Sequence, residues 1–325
     1  MRTTRNRYYD IEAGILLCYM IFCHVAQWAN MQDAPVSNLL KNIFFFFMPF
    51  FFFKGGVYFV NTDTNKIVRN SFKRLMIPYI VFSLMGHCLQ CVHLILTENL
   101  SLQTAVLFPL LEVLKYGSVK GNLALWFLLS LYCVRVLFSV MVKRVAPTVI
   151  FLFFASISTI LNTLDLTIPY YCENIPAGLM FFSAGYVMKE WQYHRTVIFV
   201  CALTYLSIFL FGYPVVHMRD NSLVSGYYIH WIYASIISII LLANILKRTE
   251  YLSVFAPFAY LGRNSMHYYV AHWMVLTLVM IVYIDILNLP VDSIYFVVLL
   301  VSCATLLPCV VHLLKHPKMD WAWGK

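Results

Sequence analysis

Residues 294–314 read IYFVVLLVSCATLLPCVVHLL, with no Asp, Glu, Lys or Arg anywhere in the run. A bilayer's hydrocarbon core is about 30 Å thick and takes about 20 apolar residues of helix to cross, so this stretch reads as a membrane span. Working outward from it, similar runs recur near residues 10–29, 39–60, 75–96, 123–142, 149–164, 175–188, 197–213, 227–246 and 266–287. Ten spans in 325 residues leave room for little except helix and short connections. The expected fold is an all-α polytopic membrane protein, a single membrane-embedded domain over 1–325 with no soluble domain.

Composition agrees. The chain is 62% hydrophobic and 11% charged, whereas soluble domains carry roughly a quarter charged residues. A net charge of +9 would suit nucleic acid only if it formed a basic face in water; here the Lys and Arg sit in gaps between apolar runs, and no nucleic-acid partner is expected. Cytoplasmic loops collect Lys and Arg. With ten spans and the N-terminus inside, 17 basic residues fall in inner segments and 4 (Lys41, Lys115, Lys120, Arg219) in outer ones. Both termini are therefore expected in the cytoplasm. The first run follows Arg2, Arg5 and Arg7 but has no small-residue cleavage pattern, and reads as a retained signal-anchor helix. Most of the nine cysteines lie inside apolar runs and read as packing residues rather than a disulfide framework. Between residues 97 and 122 an apolar piece, 105–114, is too short to span and predicts an interfacial or re-entrant helix.

Ionisable groups inside a membrane cost several kcal/mol unless paired or hydrated, which singles out Glu12, His24, Lys54, His87, His93, Arg135, His230, His267 and His272. His24 lies 14 residues beyond Asp10, about 21 Å up its helix at 1.5 Å per residue, in the outer half of the bilayer. A neutral imidazole there either acts as a base or bonds to a neighbouring helix. Lys54, followed by Gly55 and Gly56, either pairs with Glu12 or binds an anion. Lys73 and Arg74, ahead of Pro78, either fix topology or hold the phosphates of a cytosolic substrate, Arg doing so with two parallel hydrogen bonds. His87, Cys88, Cys91 and His93 have ligand chemistry, but one helix rarely supplies four ligands to an ion, and no metal is expected.

Six segments, taken in order, resemble the integral-membrane acyltransferase-3 family of bacterial surface-glycan O-acyltransferases. They are Tyr9-Asp10-Ile11-Glu12-Ala13-Gly14 running to His24, Met48-Pro49-Phe50 through Lys54-Gly55-Gly56, Lys73-Arg74-Leu75-Met76-Ile77-Pro78-Tyr79, Leu125-Trp126-Phe127-Leu128, Phe181-Phe182-Ser183-Ala184-Gly185-Tyr186, and Gly262-Arg263-Asn264-Ser265 through Tyr269 to His272. Two positions depart from the family pattern: Ala13 stands where the family has a basic residue, and Gly55 where it has Ser, beside Lys54.

The resemblance implies an acyltransferase of the bacterial cytoplasmic membrane. Its donor would be acetyl-CoA or another acyl-CoA, used as a cosubstrate with no permanently bound cofactor. Its acceptor would be a cell-surface polysaccharide or lipid-linked sugar. It makes His24 the general base, gives the acyl-CoA to Lys73 and Arg74, and assigns Asp10, Glu12, Trp126, Asn264, Ser265, Tyr269 and His272 to the substrate pocket or its support. Lys54, which the family pattern lacks, lies at a similar depth and is expected to bind the acyl-CoA as the replacement for the cation missing at Ala13. The competing class is a secondary transporter of a small polar or sugar-like solute, built from two inverted sets of five helices. The sixth run carries Pro176, Gly178 and Gly185, but the first has no matching mid-helix break.

Overall fold

A computed structural model describes residues 5–97, 99–164, 168–189 and 212–324, together with positions 199, 202, 203, 206 and 208. The chain is helical almost throughout. In order come α1 (Arg7–Trp28), α2 (Pro35–Phe44), α3 (Phe47–Val57), α4 (Thr64–Leu96), α5 (103–116), α6 (Trp126–Met141), α7 (Pro147–Leu164), α8 (Tyr170–Met188), α9 (Tyr228–Thr249), α10 (Ala256–Arg263), α11 (Ser265–Ile286) and α12 (Ser293–Leu314). Among the described residues, eight helical stretches are long and apolar enough to cross a membrane. The protein is an all-α, multi-pass membrane protein. The seventh expected span, 197–213, lies largely outside the described residues.

Prolines set several of the local breaks. The second span was expected to run unbroken over 39–60, but it is interrupted between Phe44 and Phe47. Pro49 has no N–H for the Phe45 carbonyl four residues back, and its ring crowds that carbonyl. In α4, residues Phe72–Met76 form a π-helical turn in which the Ile77 N–H reaches back to the Phe72 carbonyl. Pro78 follows directly, again withholding the N–H that Arg74 would have received. The apolar piece expected at 105–114 is α5, which opens with a second π-helical turn, Gln103–Leu107, just before Pro109. The Ala105 carbonyl, deprived of the Pro109 N–H, accepts a hydrogen bond from His87 Nε2 at 2.8 Å.

The chain divides into two compact units. The first comprises residues 1–19, 40–68 and 133–263. Its core is α8, buried continuously from Ala177 to Gly185 and packed along α3. Gly56 meets the Phe182 backbone and Gly185 meets the Phe53 backbone, with no room for a Cβ at either glycine; small residues let membrane helices approach this closely. Gly14 and Gly262 do the same between α1 and α10, beside a cluster of Ile11, Leu246 and Ala259. A short antiparallel hairpin, β1 (Val215–His217) with β2 (Ser222–Ser225), precedes α9 and has no counterpart in the sequence expectations. Its turn residue Asn221, at φ 52°, is buried. Asn221 accepts from Tyr228 Oη at 2.5 Å and donates to the Ser158 carbonyl at 3.2 Å, while Asn162 donates to the Asn221 carbonyl at 2.6 Å.

The second unit comprises residues 20–39, 69–132 and 264–325. Here α4 passes the 3-10 segment Lys120–Leu125 at a Gly86 to Gly121 backbone contact, and α11 packs on α12, on α4 and on that same segment. After α12, the 3-10 segment Pro317–Trp323 folds back and buries Trp323.

Candidate functional site

In the first unit, Asp10 gathers the charge. Its side chain is 3% exposed and accepts from Arg5 Nε at 2.7 Å and Nη2 at 3.0 Å, and from Lys54 Nζ at 3.2 Å; Arg263 Nε stands at 4.0 Å. Lys54 also donates to the Tyr9 carbonyl at 3.2 Å. The ion-pair partner of Lys54 is thus Asp10, not Glu12. At 3.6 residues per turn, positions two apart on a helix diverge by about 200°, so Asp10 bonds within this cluster while Glu12 lies within electrostatic range of Lys54 without bonding to it. Glu12 is fully buried, and neither carboxylate oxygen has a hydrogen-bond partner among the described residues. Tyr58, just past α3, accepts from the Asn6 N–H at 3.0 Å, and burial pushes its hydroxyl pKa up.

In the second unit, His24 near the end of α1 stacks on His272, with ring centroids 5.3 Å apart and planes 22° from parallel. Trp273 meets His24 edge-on at 5.0 Å and Trp28 at 5.5 Å. His272 is fully buried and its Nδ1–H donates to the Tyr269 carbonyl at 2.6 Å. That bond fixes the tautomer, leaving Nε2 as an acceptor, and Nε2 has no partner among the described residues. Tyr269 in turn donates its hydroxyl to the Ala124 carbonyl and packs against Phe127 at 5.6 Å, next to the buried Trp126. Asn122, in extended backbone within its 3-10 segment (φ −152°, ψ 76°), donates to the Val270 carbonyl at 3.1 Å, and its buried Oδ1 has no partner among the described residues.

The same unit holds Lys73 and Arg74. Both are exposed on the π-helical turn of α4. With Asn70, His267, Trp323 and Gly324 they line a cavity of about 460 Å³. Asn264 and Ser265 begin α11, and the Asn264 carbonyl accepts from the His267 N–H at 2.9 Å.

Of the residues singled out in the sequence, then, His24, Tyr269 and His272 come together in the second unit and Trp126 adjoins Phe127 there. Lys73 and Arg74 share a cavity in that unit, and Asp10 and Lys54 pair in the first. Asn122, Trp273 and Trp323 were not foreseen. Asn122 lay in a connection with no periodicity to mark it, and lone tryptophans near span ends read as interface anchors. The histidines of α4 turn to separate partners: His87 to Ala105, and His93 Nδ1 to Asp285 Oδ2 at 2.6 Å. Among the described residues no group of three or more His, Cys, Asp or Glu could hold a metal ion, and none of the eight described cysteines is in a disulfide.

Searches of the curated proteins and of the solved structures found no match to this chain. A family profile described as an acyltransferase domain matches residues 7–313. That match spans nearly all the helices described above, and the chain belongs to the acyltransferase-3 family, making it a multi-pass membrane acyltransferase that works on an acyl donor and an acceptor substrate.

Proposed function

We propose that this protein transfers an acetyl group from cytosolic acetyl-CoA to a hydroxyl of a cell-surface polysaccharide or its lipid-linked precursor, in the bacterial cytoplasmic membrane, with His24 as general base. The observation that carries the reading is the His24 to His272 stack, held by Tyr269 in the same compact unit as the Lys73 and Arg74 cavity. Lys73 and Arg74 engage the phosphates of the donor. Lys54, in the other unit, stands in for the cation absent at Ala13, with Asp10 as its resting partner.

In the chemical step, neutral His24 takes the proton of the sugar hydroxyl as its oxygen attacks the thioester carbonyl. The tetrahedral adduct collapses, the C–S bond breaks, and the departing CoA sulfur takes the proton back from the imidazolium. General-base help of this kind contributes typically 10² to 10⁴-fold, and holding both substrates in place contributes further. His272, with its proton committed to Tyr269, positions the His24 ring; Trp126, Asn264 and Ser265 support the pocket, and Glu12 supports the Lys54 end.

The test is acetyl-CoA turnover by purified protein in lipid nanodiscs, with the organism's lipid-linked glycans as acceptors. Wild type acetylates glycan, His24→Ala loses at least about 100-fold, and Lys54→Ala abolishes transfer. Full activity in His24→Ala removes the general base, and full activity in Lys54→Ala removes that residue from the donor site.

A further inference from the structure

Residues 317–324 fall outside the stretch matched to the family, 7–313, yet they build part of the Lys73 and Arg74 cavity. Trp323 is 6% exposed and wedged between Phe82, at 5.1 Å, and His267, at 4.2 Å. Its Nε1–H donates to the Leu314 carbonyl at 2.8 Å, closing the segment back onto the end of α12. Gly324, at φ 65°, lies against the Lys73 carbonyl with no space for a Cβ. This is left-handed backbone that favours glycine. Lys73 and Arg74 themselves make no ion pair or side-chain hydrogen bond among the described residues.

We propose that the segment 317–324 is a working wall of a nucleoside-phosphate pocket, with Trp323 as its positioning residue. Trp323 sets the His267 ring and anchors Gly324 on the Lys73 backbone, so that two cations, an imidazole and the Asn70 amide line one space. This set of groups takes a phosphate together with an adjoining polar ring. The volume, about 460 Å³, lies within the range of about 300–1,000 Å³ usual for small-molecule pockets. The inference rests on the reading that Lys73 and Arg74 hold the donor's phosphates. It adds that the segment after α12, by way of Trp323, governs how well they do so.

The experiment measures binding of CoA and of adenosine 3′,5′-bisphosphate to full-length protein in nanodiscs by calorimetry, alongside the melting temperature and the KM and kcat for acetyl-CoA. The proteins compared are wild type, Trp323→Ala, Trp323→Phe, Gly324→Ala and the double variant Lys73→Ala/Arg74→Ala. Trp323→Ala and Gly324→Ala each weaken both ligands by about tenfold and raise KM with kcat little changed, while Trp323→Phe recovers most of the affinity. Wild-type affinity in Trp323→Ala and Gly324→Ala, with binding lost in the double variant, overturns the wall and leaves the donor reading standing. Wild-type affinity in the double variant overturns both. Should Trp323→Ala fail to fold, Gly324→Ala decides. Loss of folding in both, or a fall in kcat with KM unchanged, makes the segment a structural strut and overturns the inference.

Discussion

Asp10 and Glu12 sit two residues apart on one helix and meet opposite fates. Asp10 is bonded to Arg5 and Lys54 with Arg263 close by, whereas Glu12 is buried without a hydrogen bond among the described residues. Breaking a buried ion pair by removing one partner costs about 3–5 kcal/mol, although the half-exposed Arg5 contributes little of this. Asp10→Asn should therefore lower the melting temperature in detergent well below that of wild type. Glu12→Gln, which keeps the side chain's size at a buried position with no hydrogen-bond partner among the described residues, should leave the melting temperature unchanged or raise it. Equal losses in the two variants would contradict this assignment. Further along the same helix, the general-base role proposed for His24 requires a neutral imidazole, so the rate of transfer should fall on the acid side; a profile flat down to about pH 5 would rule that role out. The cost of an ionisable group in lipid singled out Glu12 and His24, and the family resemblance added Asp10. Neither revealed which acid Lys54 would meet, because a difference of about 200° in facing can be resolved only once the neighbouring helix is in place.

Pro78 connects an element's geometry to the chemistry proposed for it. The π-helical turn Phe72–Met76 ahead of it is what carries Lys73 and Arg74, and extra-residue turns of this type are often found at functional sites. Pro78→Ala restores the N–H that Arg74 lacks and lets the turn tighten to an ordinary α-helix, rotating both cations. The expected result is a KM for acetyl-CoA raised several-fold with an unchanged or higher melting temperature; an unchanged KM would detach the turn from donor binding. At this scale the sequence was readable wherever an apolar run ended at a charge, as at α7 and α12, and less so where a run was broken from within, as between Phe44 and Phe47. The segment Pro317–Trp323 escaped for a different reason. A single buried aromatic in a polar tail leaves no periodic signal, and its partners Phe82 and His267 lie far away in sequence.

For the molecule as a whole, the placement of Lys and Arg makes a topological prediction. With native cysteines replaced, Lys115→Cys should react with a membrane-impermeant maleimide applied to intact cells, and Lys66→Cys only after permeabilisation. The reverse pattern would invert the orientation and put the Lys73 and Arg74 cavity on the wrong side for a cytosolic donor. The helical, multi-pass plan could be read from composition and apolar runs because lipid imposes one rule on every span. The division into two compact units could not, since no glycine-rich or polar linker marks it and both units draw on distant parts of the chain. The hairpin around Asn221 was equally hidden: residues 212–227 are loop-like in composition, yet Asn221 is bonded to α7 and α9 through Ser158, Asn162 and Tyr228. An antibody raised against the folded protein at this hairpin would recognise a fixed shape, and a linear peptide of the same residues would make a poor immunogen for it.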